Sequence, residues 1–183
     1  MAGASPFRTF LTRLFGLHTD ERAWGRGAEG EERVGELLEQ LRPLGWSVEH
    51  DVKIGRRGAN VDHLVIGPPG VYVINTKLIG AEVWVGDNVV KVDGYRKAFV
   101  DKLEAEALRV RQRLLSATGF RKLWVQGLLV FVSPTLTIQE QPQNVRVLTD
   151  NELVPVLRRQ MATLEEADLK QLVRAARQAS TWT

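Results

Sequence analysis

Two apolar runs, residues 59–66 and 71–77, are joined by Gly67-Pro68-Pro69-Gly70, and no other stretch constrains the fold as sharply. Each run is strand-sized and rich in β-branched residues, whereas two prolines between two glycines can continue neither a helix nor a ladder. The runs must therefore fold back on each other as an antiparallel hairpin with Pro68 and Pro69 at its tip. A tight turn fixes the register, so Asp62 falls opposite Asn75. Side chains alternate along a strand, which puts Lys77 on the face of Asn75. A carboxylate, an amide oxygen and a lysine are predicted to converge at one end of the hairpin.

The rest of the chain supplies the layers around it. Val34, Leu37, Leu38 and Leu41 form a helical stripe that Pro43 and Gly45 end. Residues 47–54 read as a strand before the hairpin, and 82–85 with 88–92 as a smaller hairpin turned at Gly86-Asp87-Asn88. A helix is predicted over about 96–116, with Phe99, Leu103, Leu108, Val110, Leu114 and Leu115 as its apolar stripe and Gly119 as its stop. Residues 123–132 read as a buried strand and 145–148 as a short one. Asp150 is the expected N-cap of a helix to about Gln160, and a last helix covers 164–179, begun near Thr163. The order helix, three strands, hairpin, helix, strand makes a mixed α/β sheet flanked by helices, with extra C-terminal helices.

Composition narrows the function. The chain has 183 residues, 44% hydrophobic, enough for one α/β domain with a substantial core. It contains no cysteine, which excludes thiolate zinc and disulfide stapling and is compatible with a reducing, cytoplasmic setting. Its 25 basic and 22 acidic residues give a net charge of +3, a mild excess that permits nucleic-acid contact without requiring it. No apolar stretch reaches the roughly 20 residues that span a bilayer. Residues 7–17 read as a short amphipathic basic helix, suited to packing on the domain, to a membrane surface or to a protein partner.

Several catalytic patterns are missing. There is no Ser-His-Asp arrangement, no HExxH and no phosphate-cradling loop. Gly25 to Gly30 has the form GxGxxG, but no strand precedes it. His63 points to the face opposite Asp62, which favours a packed or hydrogen-bonded histidine, and His18 and His50 have no partner spacing.

Three blocks, Gly27-Ala28-Glu29-Gly30-Glu31-Glu32-Arg33-Val34, then Ala59 to Pro68, then Gly70 to Lys77, resemble in order and spacing the NERD or nuclease-related domain of the PD-(D/E)XK nuclease superfamily. The resemblance covers about residues 23–160, leaving 1–22 as a basic N-terminal segment and 161–183 as a C-terminal helix. It implies a restriction-endonuclease-like core in which a helix glutamate, a strand aspartate and an acid-x-lysine triplet form the site: here Glu31, Asp62, Asn75 and Lys77. Asn75 stands where the superfamily has an acid, so this chain carries an Asn-Thr-Lys variant.

Phosphodiester hydrolysis needs a cation that neutralises developing charge and activates water, and Mg²⁺ or Mn²⁺ takes oxygen ligands. The resemblance implies Asp62, Glu31, Asn75 and the Thr76 carbonyl as those ligands, with Lys77 acting on the water or the phosphate. Losing a carboxylate at position 75 weakens attraction for a dication, so weak metal affinity is expected. Arg56, Arg57, Lys91, Arg96 and Lys97 are candidate contacts to nucleic acid, DNA in the first instance, with Lys102 beside them. The expected activity is a metal-dependent nuclease or nuclease-derived DNA-processing protein. Its alternative is a weak or inactive nuclease-like module that binds nucleic acid or a protein partner. From the residues alone, Asp62, Asn75 and Lys77 also suit a polar cross-strand pair neutralised by an ion pair.

Overall fold

In the computed structural model, residues 21–55 and 59–183 are described. The predicted helix at 7–17, His18, Arg56 and Arg57 lie outside the described residues. The first described helix, α1 (Glu21–Glu39), is followed by a 3₁₀ turn, Arg42–Leu44, where the proline and glycine break the pattern. Then come β1 (Ser47–Ile54), β2 (Ala59–Gly67) and β3 (Gly70–Leu78). The second hairpin is β4 (Glu82–Gly86) with β5 (Val89–Val92), and β6 (Tyr95–Lys97) adds to it. Helix α2 (Phe99–Thr118) ends at Gly119, whose φ of 74° is left-handed and suits glycine. Strands β7 (Val125–Val132), β8 (Thr135–Ile138) and β9 (Val145–Thr149) lead to α3 (Asp150–Arg159), α4 (Glu166–Ala176) and α5 (Ala179–Trp182).

The main sheet has the order β1-β2-β3-β7-β9. Strands β1, β2 and β3 pair antiparallel, whereas β7 joins β3 in parallel and β9 joins β7 in parallel. A central strand in such a sheet is covered on both sides, which is why β3 and β7 read as near-continuous apolar runs. One face packs Leu64, Ile66, Val71, Val73 and Leu129 against Leu103, Ala107, Val110 and Leu114 of α2, with Leu172 and Trp182 from the C-terminal helices. The other packs Val48, Val65, Tyr72, Ile74 and Leu128 against Val34 and Leu38 of α1 and Leu153 and Leu157 of α3. Each such residue contributes about 2 kcal/mol through removal from water. The architecture is the mixed α/β sheet flanked by helices that the sequence implies, consistent with a restriction-endonuclease-like fold.

Four local expectations are corrected. Arg96 does not open the long helix but lies in β6, because Val92 pairs with Tyr95 and Lys91 with Arg96 as a tight antiparallel return. Leu108 is 50% exposed, so the buried stripe of α2 runs through Leu103, Ala107, Val110 and Leu114 instead. The N-cap of α3 is Thr149, whose N–H and hydroxyl both donate to Glu152 at 2.8 Å, while Asp150 is the first helical residue and is held by Arg33 at 2.6 Å. The last predicted helix divides into α4 and α5.

The second sheet, β6-β5-β4-β8, leaves the end of β3 and buries Val83, Val85 and Val90 beside α2. The chain leading into α4 braces the Pro-Pro turn: Thr163 and Leu164 donate backbone N–H groups to the Pro68 carbonyl at 3.0 Å each, and the Thr163 hydroxyl donates to the Pro69 carbonyl at 2.7 Å. Among the described residues, no helix is long and apolar enough to cross a membrane.

Candidate functional site

The β2–β3 ladder pairs His63 with Ile74 and Gly67 with Gly70, the register set by the Pro-Pro tip. One step beyond the ladder, Asp62 comes opposite Asn75, and its Oδ2 accepts the Thr76 N–H at 2.8 Å. Facing residues of antiparallel strands share a side of the sheet, so Asp62 and Asn75 stand on the α2 side, as Leu64 and Val73 do. Lys77 is on that side too. Its Nζ donates to Asn75 Oδ1 and, at 3.0 Å, to the Thr76 carbonyl, and it lies 5.5 Å from the centre of the Phe99 ring at the start of α2. Among the ion pairs of the described residues, none joins Lys77 to Asp62.

Glu31 arrives from α1. Gly30 lets that helix lie directly on β3: a Cβ there would stand 2.9 Å from Leu78 Cβ and 3.4 Å from Thr76 Cγ2. The next residue is thereby delivered to the end of the strand. Burial, followed by the charge of Asp62, raises the Glu31 carboxyl from 4.5 to about 7, against the pull of Lys77 and with a further push from Asp51. Asp62 is itself raised, chiefly by burial, opposed by the Thr76 N–H and by Lys77. Glu31, Asp62 and Lys77 are thus one electrostatic cluster, reached from two elements far apart in the chain.

Two acids were missed by the sequence reading. Asp51 sits between the β1–β2 pairs His50 with His63 and Val52 with Val61, which sets it across from Asp62 with a positive φ of 51°. Burial raises its carboxyl, and its Oδ2 is buried without a hydrogen-bond partner. Glu106 lies on α2 between the buried Leu103 and Val110. Its carboxyl is raised by burial and then by Asp62, while Lys77 lowers it more than Arg109 or Lys102, and its Oε2 is buried and unpartnered. The available signal for Glu106 was an acid beside the apolar stripe, hidden by assigning Leu108 to that stripe. For Asp51 it was an acid inside a β-branched run.

The donor chemistry around Lys77 suits a hard divalent cation: the atoms on offer are all oxygens, and Glu31 and Asp62 are desolvated acids that both feel the Lys77 ammonium. Among the described residues, no three His, Asp or Glu side chains already gather tightly enough to enclose an ion. Asn75 Oδ1 and the Thr76 carbonyl complete the oxygen set, and both accept from Lys77.

His50 and His63 belong to the other face. His63 is 1% exposed, its Nδ1 is 2.7 Å from His50 Nδ1, and His50 Nε2 is 2.9 Å from Glu39 Oε1. Burial lowers the His63 pKa to about 3, so the ring is neutral and packed, as expected. His50, which has no partner spacing in the sequence, meets His63 and Glu39, because the β1–β2 register sets it opposite His63 and the end of α1 brings Glu39.

Of the basic residues, Lys91, Arg96, Lys97 and Lys102 are exposed. Arg96 faces Lys91, Lys91 faces Trp84 and Trp84 faces Thr137, which makes one row across the outer side of the second sheet. Lys91 Nζ caps the Trp84 ring at 4.7 Å. Tyr95, 73% exposed and unremarked from sequence, stands next to Arg96.

The model of the family described as nuclease-related domain matches residues 26–132, a span from α1 to the end of β7 that includes Glu31, Asp62, Asn75 and Lys77. No curated protein matches the chain.

Proposed function

The chain belongs to the nuclease-related domain family, and on that premise we propose that it is a divalent-metal-dependent nuclease, or a DNA-processing protein derived from one, that acts on phosphodiester bonds. The observation that carries this reading is the placement of Asp62, Asn75 and Lys77 on one side of the sheet with the raised carboxyl of Glu31 beside them. A bound Mg²⁺ or Mn²⁺ supplies charge neutralisation at the phosphate and an activated water. Asp62, Glu31, Asn75 Oδ1 and the Thr76 carbonyl are the residues that would hold it, weakly, because position 75 brings no charge. Lys77 serves the anionic phosphate as an electrostatic partner. With a carboxyl near neutrality, Glu31 can take up or release a proton at working pH. Lys91, Arg96 and Lys97 are proposed to meet the phosphates of DNA, and Arg56 and Arg57, outside the described residues, are proposed as further phosphate contacts.

A second reading has an observation of its own. The Lys77 ammonium rests on the two neutral oxygens a cation would use, an arrangement suited to a nuclease-like module that binds nucleic acid or a protein partner without cutting. Incubation with single-stranded, duplex and branched DNA and with RNA, under Mg²⁺ and Mn²⁺, separates the two. The nuclease reading requires products from the wild type that Lys77→Ala does not make and that Asn75→Asp increases; identical products from the wild type and Lys77→Ala sink it.

A further inference from the structure

We infer that the outer side of the second sheet is a stacking surface for an unpaired DNA strand, with Trp84 taking the face of a base and Lys91 and Arg96 the phosphates beside it. The inference rests on the nucleic-acid reading above and names the strand state that reading leaves open. Strand register puts Arg96, Lys91, Trp84 and Thr137 in one row across four strands. Neighbouring strands lie about 4.8 Å apart, so Trp84 and Arg96 are separated by roughly 10 Å. Val83, Val85 and Val90 take the inner side and hold the sheet to its core.

Trp84 has little to do in that core. It belongs to neither apolar cluster, and its ring instead reaches over Gly86, where a Cβ would stand 2.6 Å from Cη2 and 2.8 Å from Cζ2. The ring is half-buried, and the exposed Lys91 places its Nζ 4.7 Å from the ring centre. A base can take that place while the ammonium moves to the adjoining phosphate, so the cation keeps an anionic partner and the ring keeps a cover. Among the described residues, neither Lys91 nor Arg96 is held in an ion pair. Glu82, two residues before Trp84, shares the outer side and bounds the surface there, so an anionic strand runs on the other side of the row, over Gly86 and Val89. The row also adjoins the candidate site, because Arg96 precedes Phe99 by three residues and the Phe99 ring lies against Lys77. In a duplex the base faces are covered by their neighbours, and a sheet face has nothing to push into a groove. An unpaired strand offers Trp84 a base as well as its phosphates.

The test is fluorescence anisotropy of a labelled oligothymidine and of a labelled duplex of equal length, titrated with the full chain across a salt series without divalent metal. The wild type should bind the single strand more tightly than the duplex. Trp84→Leu should weaken single-strand binding about tenfold while leaving duplex binding and the salt slope unchanged, since stacking releases no counterions. Lys91→Ala should instead lower the single-strand slope by about 0.7. Trp124→Leu, which removes an exposed indole just before β7, should bind as wild type does. Should the leucine variant fail to fold, Trp84→Phe, which keeps a smaller ring, should still lose affinity for the single strand alone. A wild type that prefers the duplex, equal losses on both DNAs, or no loss in a folded variant overturns the stacking surface and leaves the nuclease site standing. A wild type that binds neither DNA overturns both this surface and the nucleic-acid reading.

Discussion

Glu31→Gln should make the metal-free protein more stable, and the gain should appear only as the pH rises. The Glu31 carboxyl is moved from 4.5 to about 7, and at 1.36 kcal/mol per unit the displacement corresponds to about 3 kcal/mol against the charged form. Solvent reaches part of the group, and screening there leaves about 2 kcal/mol. The sign follows from proton counting. Between pH 4.5 and about 7 the folded protein keeps a proton that the unfolded chain releases, so wild-type stability falls as pH rises through that window. Below it both states are protonated and the penalty is absent; above it the penalty is complete. Glutamine resembles the protonated acid and pays it nowhere. Urea denaturation at pH 4.5 and pH 8 should therefore give near-equal stabilities at the lower pH and an advantage of about 2 kcal/mol to the variant at the higher, or about 4–8 °C in melting temperature for a chain of this size. A difference that does not change with pH, or a variant less stable at pH 8, would show that Glu31 is not held among the acids of the site.

Other elements give independent checks. Arg33→Ala should cost about 2 kcal/mol, because the Asp150 side chain is 1% exposed and loses the guanidinium at 2.6 Å; adding Asp150→Asn should restore most of the loss in the same denaturation series. Gly30→Ala should cost about 1 kcal/mol despite the better helix propensity of alanine, since its Cβ would stand 2.9 Å from Leu78 Cβ and lift α1 from β3; a neutral or stabilising result would refute the close approach that delivers Glu31. Lys91→Ala and Arg96→Ala should each weaken DNA binding across sequences and reduce the slope of log K against log salt by about 0.9 for duplex, measured by fluorescence anisotropy. An unchanged slope would remove the second sheet from the interface.

How much of this was legible depended on whether a signal was local. The Gly-Pro-Pro-Gly turn carries its own geometry, so the Asp62 to Asn75 register, the face of Lys77 and the opposite face of His63 followed from a dozen neighbouring residues. Gly119 likewise announces the end of α2 by its own backbone requirement. Strand β8 had no such mark. Its short polar alternation gains strand character only from parallel pairing with β4, some fifty residues earlier. The partnership of His50 required the β1–β2 register, which passes through a connection at residues 56–58 that lacks a tight-turn signature. Glu106 was lost to a misplaced helix face: once Leu108 is counted inward, the acid faces outward, and only packing against β7 reveals the true rotation.

The charge pattern bears on why Asn75 can persist at the centre of such a site. Glu31, Asp51, Asp62 and Glu106 all have carboxyls raised by burial, and Asp51 already faces Asp62 across a ladder, where like charges destabilise. A carboxylate at position 75 would add another acid abreast of that pair and would compete with Asp62 for the single ammonium of Lys77. The amide instead offers an oxygen that accepts from Lys77 without adding charge. In the absence of a cation, Asn75 is therefore the less costly choice, and Asn75→Asp should lower metal-free stability while raising Mn²⁺ affinity. Opposite signs in the two measurements would mark position 75 as a trade between folding and binding. A loss in both would mean that the fold holds this end of β3 for structural reasons alone.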